Sequence, residues 1–280
     1  MTDDLPVRGG RVRRRTGQRR ASGGFSPRRA LAALVMLATA GLIWGAVASP
    51  VFVAKTVEVE GAVLTGDDAV RVALDLPTPA PNVFTLATDV LRERLLALPA
   101  VDDAEVSVGL PGTLRVRIVE REPVLAWRRG GAVLLVDRDG RIVADAAVDG
   151  AASASAAAVG LPLVADRRTS GDPPVVGGRL EVVDLDVATR LLSLVPADVG
   201  SAATALLVAV DERDGWTLIP TVDDPWTAVF GFYGLEIRGP EMIPEQVRSL
   251  RSLLAGREAT LLRMVLAGSS EGTFTLKPEP

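Results

Sequence analysis

Between Arg29 and Lys55 the chain carries no charge: residues 30–54 read ALAALVMLATAGLIWGAVASPVFVA, 25 residues without an ionisable side chain. About 20 helical residues suffice to cross about 30 Å of hydrocarbon, so this run is long enough to span a bilayer. It has no polar face, which argues against a helix half-buried in a soluble core. Pro50 cannot continue a helix comfortably, so the span is expected over residues 30–50, ending near Ser49. Trp44 lies toward its outer end, where an indole suits the headgroup layer. Two rival readings concern processing. Ala46-Val47-Ala48 fits a small-residue cleavage site near Ala48, and Arg28-Arg29 before an apolar run is loosely twin-arginine-like. The basic region is long and the uncharged run continues past Ala48, so an uncleaved anchor is the reading adopted.

Charge gives the orientation. The net charge of −4 hides a split: residues 1–30 hold nine Arg and two Asp, whereas the remainder holds 22 basic and 33 acidic residues. Arginine before the span, with Glu58 and Glu60 after it, places the N-terminus in the cytoplasm by the positive-inside rule. The tail, residues 1–29, is Arg/Gly/Ser-rich, too poor in apolar residues to fold, and is expected to be disordered. Arginine clusters beside a span are read as topology and contact with anionic lipid headgroups rather than nucleic acid.

Beyond the span, periodicity gives the elements. Val57 and Val59 alternate with Glu58 and Glu60, a half-buried strand over 56–63 ended by Gly61. Thr65 is placed as the N-cap of a helix running to Leu74, with Asp67 and Asp68 in its first turn. A second helix over 88–98 sets Leu91, Leu95 and Leu98 on one face. Ala104, Val106 and Val108 then alternate with polar residues. Leu110-Pro-Gly112 turns the chain, and Leu114, Val116 and Ile118 alternate with Arg115 and Arg117. The order is strand, helix, helix, strand, strand, enough for a small sheet with two helices on one face.

From Val124 strands dominate: 124–128, 133–136 and 141–144 about an Asp137-Arg-Asp-Gly140 turn, then 205–210, 216–219 and 227–230. Residues 145–159 are almost all Ala, Ser and Val, and 165–179 read as a Pro/Gly/charge-rich loop. A helix over 181–195 turns Leu191, Leu192 and Val195 inward. Another opens near Pro244 and runs to Ala255 with Val247, Leu250 and Leu254 as its face. Strands 263–267 and 272–277 close the chain across a Gly-Ser-Ser-Glu turn. The fold class expected is α+β: disordered tail, single span, a β-α-α-β-β domain over 54–123, and a β-rich domain with a C-terminal helix and strand pair over 124–280.

Catalytic chemistry finds little footing. The chain has no His and no Cys, and Lys only at Lys55 and Lys277. That removes Ser-His-Asp and Cys-His nucleophiles and His- or thiolate-based zinc sites. No Gly-rich phosphate loop has the needed spacing. Acid pairs remain at Asp102-Asp103, Asp184/Asp186 and Asp223-Asp224, but adjacent acids in turns usually only solvate loops. Asp137 and Asp139 lie in a loop too short for an EF-hand and are read as turn residues.

Val57-Glu-Val-Glu-Gly61, Asn82-Val-Phe84 and LPAVDDAEVSVGLPGTLRVRIVEREP over 98–123 carry a family signature. In the last stretch Pro99, Val101, Ala104, Val106, Pro111, Leu114, Val116, Ile118, Glu120, Arg121 and Pro123 match a pattern of spaced aliphatics closed by Glu-Arg-x-Pro. The segment resembles the POTRA domain of the FtsQ/DivIB cell-division family, departing at Ala100 and at Val108-Gly109. VLLVDRDGRIV, Gly160-Leu-Pro162 and the final helix with its strand pair resemble the family's β domain more loosely. Glu-Arg-x-Pro is read as a strand end marking a hinge between domains.

The resemblance implies a non-catalytic divisome component, without cofactor, metal or small-molecule substrate, that holds bitopic coiled-coil partners of the FtsB and FtsL type and helps control septal peptidoglycan synthesis. In that family a partner pairs with an exposed strand edge near the C-terminus. Mapped here, the edge is Thr273, Phe274, Thr275, Leu276 and Lys277. An edge strand offers unpaired N–H and C=O groups to an incoming strand. Phe274 suits equally the core or an anchor for the partner, whereas Trp226, Phe230, Phe232 and Tyr233 are read as core or a neighbouring strand face. Two other functions fit less of the chain. A POTRA-bearing export or envelope-assembly factor would bring tandem copies or a barrel, and an anchored envelope hydrolase would rest on the acid pairs.

Overall fold

The computed structural model describes residues 27–147, 155, 158–234, 238–266 and 272–278. The arginine-rich tail up to Ser26, most of the Ala/Ser stretch and the Gly-Ser-Ser-Glu turn lie outside them. The chain divides into two units, residues 1–49 and 50–280. In the first, α1 runs Pro27–Ala48, and its residues 27–46 are long and apolar enough to cross a membrane. The helix opens three residues before the expected span because Pro27 suits a first turn. It stops two residues before Pro50, whose ring cannot follow an α-helical residue.

The second unit opens with a three-stranded sheet. Its elements are β1 (Thr56–Glu60), α2 (Asp67–Leu74), α3 (Thr88–Leu96), β2 (Val101–Gly109) and β3 (Thr113–Glu120). The spatial order is β1-β3-β2, with β1 parallel and β2 antiparallel to β3. Period-2 residues Leu114, Val116 and Ile118 meet Val70 and Leu74 of α2 and Leu91 and Leu95 of α3 in one core. Three local expectations change. Gly66, not Thr65, is the N-cap of α2, with φ 77°. The reason lies 55 residues away: the Glu120 carboxylate accepts the backbone N–H groups of Val63, Leu64 and Thr65 at 3.0, 2.7 and 2.6 Å, holding that loop out of the helix. α3 ends at Leu96, and Val108 stands exposed near the end of β2.

The rest is one nine-stranded sheet. Its strands are β4 (Pro123–Arg129), β5 (Ala132–Asp137), β6 (Ile142–Asp145), β7 (Leu163–Asp166), β8 (Leu206–Asp211), β9 (Gly215–Pro220), β10 (Thr227–Gly231), β11 (Leu261–Leu266) and β12 (Gly272–Leu276). Across the sheet the order is β12-β11-β10-β9-β8-β7-β4-β5-β6. β7 pairs in parallel with both β4 and β8, and β10 with β11; the remaining pairs are antiparallel. Helices α4 (Val182–Leu192) and α6 (Ile243–Leu254) contribute Val187, Ala188, Leu191, Leu250 and Leu254 to the core on one face, with the four-residue α5 (Pro196–Val199) between them in sequence.

β7 is the strand the sequence conceals: its last two residues fall in the stretch read as loop. α4 stops at Leu192, so Leu191 is core while Val195 is 53 % exposed. Of the aromatic residues, Trp226 and Phe230 are fully buried, whereas Phe232 is exposed. Tyr233 donates its hydroxyl to Gln246 Oε1, and the buried Gln246 amide donates to Phe230 and Leu266 carbonyls at 3.1 and 2.7 Å.

The opposite sheet face meets the three-stranded module at the β4–β5–β6 end, where Ala126, Leu135 and Val143 pack with Ala100 and Leu64. A hinge was expected at Glu-Arg-x-Pro; the junction is instead packed and ion-paired. Arg121 pairs with Asp102 of β2 at 3.1 Å and with Asp137 of β5 at 3.2 Å, and its backbone N–H donates to Ala100. Only Glu122 stands between Arg121 and the start of β4, so little slack remains.

Candidate functional site

β12 is the last strand of the nine-stranded sheet, and all five of its residues are exposed. Cross-strand pairing with β11 sets Phe274 opposite Met264, Thr273 opposite Val265 and Thr275 opposite Arg263. Met264 belongs to the helix-side core. Side chains of directly opposed residues share a face, so Phe274 and Leu276 stand on the helix side of the rim, with Thr273 and Thr275 behind. Phe274 is 46 % and Leu276 54 % exposed. The core reading of Phe274 therefore falls: it continues the line of the core past the last paired strand, with half its surface in solvent.

The backbone direction follows from the end of the strand. Lys277 donates its N–H inward to the Thr260 carbonyl at 2.8 Å. Antiparallel strands direct N–H and C=O alternately by residue, so Thr275 and Thr273 also face β11. The outward groups belong to Gly272, Phe274 and Leu276. Lys277 itself lies just past the strand. Its ammonium is committed to Asp224, 2.8 Å from both the backbone carbonyl and Oδ2, so it pins the end of β12 to the β9–β10 connection. Beside it Glu258 accepts from Ser201 Oγ, Ala202 N–H and Trp226 Nε1. Burial pushes the Glu258 carboxyl up, but these donors outweigh it and hold it below the usual range.

The other rims carry covering segments, plugs or paired charges. At the far end of the sheet, the segment 177–180 runs along β6. Gly177 N–H donates to Ile142 O at 2.9 Å, Ile142 N–H to Gly178 O at 3.0 Å, and Leu180 N–H to Gly140 O at 2.9 Å. In the three-stranded sheet, Ala104 on the β2 rim is plugged: Arg92 Nε donates to its carbonyl at 2.7 Å and Asp103 accepts its N–H at 2.8 Å. The Arg92 guanidinium on Asp103 holds that carboxyl below its usual range. β1, as short as β12, has its exposed Glu58 and Glu60 paired with Arg115 and Arg117. Charged and covered rims resist pairing with other chains.

Among the described residues, five of the six candidate acids are tied to basic partners, Asp223 being the exception. Asp102 pairs with Arg121, Asp103 with Arg92, Asp186 with Arg190, and Asp224 with Lys277. Asp184 shares Arg168 with the buried Asp166. Burial raises the Asp184 carboxyl, against the pull of Arg168. Burial also pulls Asp166 upward, but hydrogen bonds from Arg168 and Trp127 prevail and lower it. This cluster, with Arg168 5.8 Å from the Trp127 ring centroid, clips the loop after β7 to α4. Asp137 Oδ1 accepts from Asp139 and Arg141 N–H at 2.9 and 2.8 Å, the geometry of a turn. Among the described residues no group of three metal-binding side chains converges.

The β-α-α-β-β order, the parallel β1–β3 pair and the appended sheet invite comparison with known proteins. The family pattern described as "POTRA domain, FtsQ-type" matches residues 52–121. A protein named Cell division protein FtsQ from Cereibacter sphaeroides is 38 % identical over 114 residues, 39 % of this chain and 37 % of that one. Its namesake from Chloroflexus aurantiacus is 30 % identical over 149 residues, 53 % of this chain and 51 % of its own. That from Caulobacter vibrioides is 28 % identical over 222 residues, 76 % of this chain and 69 % of its own. These matches support the FtsQ/DivIB family for this chain. The chain spans about a third to a half of the first two relatives' own length. The matched stretch ends on Glu120 and Arg121. Glu120 clamps the 63–65 loop and Arg121 ties the two sheets, both through partners on other elements.

Proposed function

We propose that this chain is a non-catalytic, single-pass scaffold of bacterial cell division, whose β12 rim captures a strand from a partner protein. The observation that carries the reading is the open rim: Gly272, Phe274 and Leu276 offer outward backbone groups, and Phe274 and Leu276 supply exposed apolar contacts. An added strand gains main-chain hydrogen bonds, and half-exposed apolar side chains at its base gain burial. The family supplies the partners' character: bitopic coiled-coil proteins of the FtsB and FtsL type, held at the septum to help control peptidoglycan synthesis. Residues 54–123 and 124–280 are taken as two extracytoplasmic domains, with the N-terminal arginines in the cytoplasm against anionic headgroups.

A fluorescent fusion to the full chain in dividing cells tests the role. A midcell band, with filamentous or branched cells on depletion, is the expected result. Uniform envelope signal with normal division overturns it. Co-purification of the partner with Phe274→Pro tests the rim, because proline removes an outward donor without touching the β11–β12 ladder. Undiminished capture sinks the β12 assignment.

A further inference from the structure

Three segments far apart in sequence meet at one end of the three-stranded module. Val53 bridges Asn82, Ala54 N–H donates to Pro81 O at 3.0 Å, and Lys55 N–H donates to Gly112 O at 2.9 Å. A Cβ on Gly112 would fall 2.3 Å from the Val53 carbonyl oxygen, so the turn at 110–112 lies flush on residues 51–53 only because 112 is glycine. The Phe52 and Phe84 rings come together at 5.2 Å between centroids, tilted 55°. Val51, Phe84 and Leu110, one from each segment, are 53, 51 and 65 % exposed. Across residues 50–55, 80–86 and 109–112 the sole charged side chain is Lys55, in a chain that is 24 % charged. An apolar rim whose sole charge is Lys55, on an otherwise charged module, marks a contact surface.

We propose that this rim, formed by Val51, Phe52, Phe84 and Leu110, sits in the headgroup layer of the bilayer, with Lys55 on anionic headgroups. The inference rests on residues 27–48 crossing that bilayer. Connectivity then selects lipid as the occupant. Only Ser49 and Pro50 separate the end of α1 from Val51, a reach of at most about 11 Å when fully extended. The polar layer on each side of the hydrocarbon is itself about 5–8 Å deep. Apolar side chains on so short a leash lie within range of the interface, where aromatic rings are favoured and a lysine stem can lie along lipid while its ammonium meets phosphate. The rim thereby adds a second attachment of the chain to the bilayer.

The chain has no native cysteine, which makes single nitroxide labels straightforward. The full chain is reconstituted in nanodiscs of phosphatidylethanolamine and phosphatidylglycerol. Labels are placed by Thr85→Cys, which keeps both rings, and by Leu110→Cys. Val72→Cys, at a site 78 % exposed on α2, serves as the aqueous reference and Leu37→Cys as the span reference. Collision with oxygen relative to a water-soluble nickel chelate is expected to be at least about threefold higher at 85 and 110 than at 72. Values at 85 and 110 equal to that at 72, with 37 reading lipid, overturn the proposal and leave the span standing. Shielding of 85 and 110 from both colliders assigns the rim to a protein and also overturns it. An aqueous reading at 37 removes the span and the proposal together.

Discussion

At one end of the nine-stranded sheet, β6 is partly covered; at the other, no described segment pairs beyond β12. The covered end is held three ways: segment 177–180 takes up the outward groups of Ile142, the three-stranded module packs on Ala126, Leu135 and Val143, and Arg121 ties Asp137 to Asp102. The β12 end has Lys277 as a pin at its tip and nothing described beyond Gly272–Leu276 in the sheet order. Both ends are antiparallel pairs of short strands, so strand chemistry does not distinguish them. What differs is whether the same chain returns to cover the rim. An uncovered edge is a hazard unless it has a partner, and the contrast is what the proposed pairing at β12 rests on.

The sharpest blow to the covered end is Arg121→Ala. It strands Asp137, whose side chain is 4 % exposed, without its cation, and a loss of about 3 kcal/mol is expected on urea unfolding followed by tryptophan fluorescence. A loss under about 1 kcal/mol would mean that the Ala100–Leu135 packing alone holds the junction. Next, Thr275→Pro strikes the inward face of β12. It deletes a ladder donor to β11 and should cost up to about 3 kcal/mol, lowering the thermal midpoint.

Phe274→Pro is the matched opposite. It removes an outward donor and half-exposed ring surface, so stability should change little while partner capture falls at least tenfold, about 1.4 kcal/mol. If the two prolines behave alike, the alternation of backbone direction along β12 is misassigned. Smallest is an acid test at a site between the two ends. Glu212 Oε1 takes the backbone N–H groups of Ser170 and Thr169, and those hydrogen bonds hold the carboxyl down to about 2 from an ordinary 4.5. A depressed carboxylate contributes stability above its unfolded value and loses it as pH falls through its folded value. Amide exchange at Thr169 and Ser170 should therefore stay protected at about pH 3 and rise as pH falls through about 2, while the Ile142 amide at the covered rim, which involves no carboxylate, should not follow it.

Much of the architecture is local and was readable as such. The uncharged run over 30–54 declares a span because twenty-odd successive residues share one solvent preference. The β-α-α-β-β order follows from a period near 3.6 giving way to a period of 2, and the Asp137–Gly140 turn from residues that stabilise their own backbone. Thr273–Leu276 was legible as a strand for the same reason, and the family resemblance marked it as a rim.

The tertiary structure alone decided the rest. β7 has four residues, Leu163–Asp166, too few for periodicity to register, and it becomes a strand because β4 and β8 offer it parallel ladders on both sides. Thr65 has the chemistry of an N-cap, yet Glu120 claims its N–H from across the sheet. Glu-Arg-x-Pro looked like a hinge because its sequence does not reveal that Asp102 and Asp137 converge on Arg121. An edge is likewise a relation between strands: it exists only once every other segment has taken its place, and no short-range pattern encodes that some rims are covered and others left open.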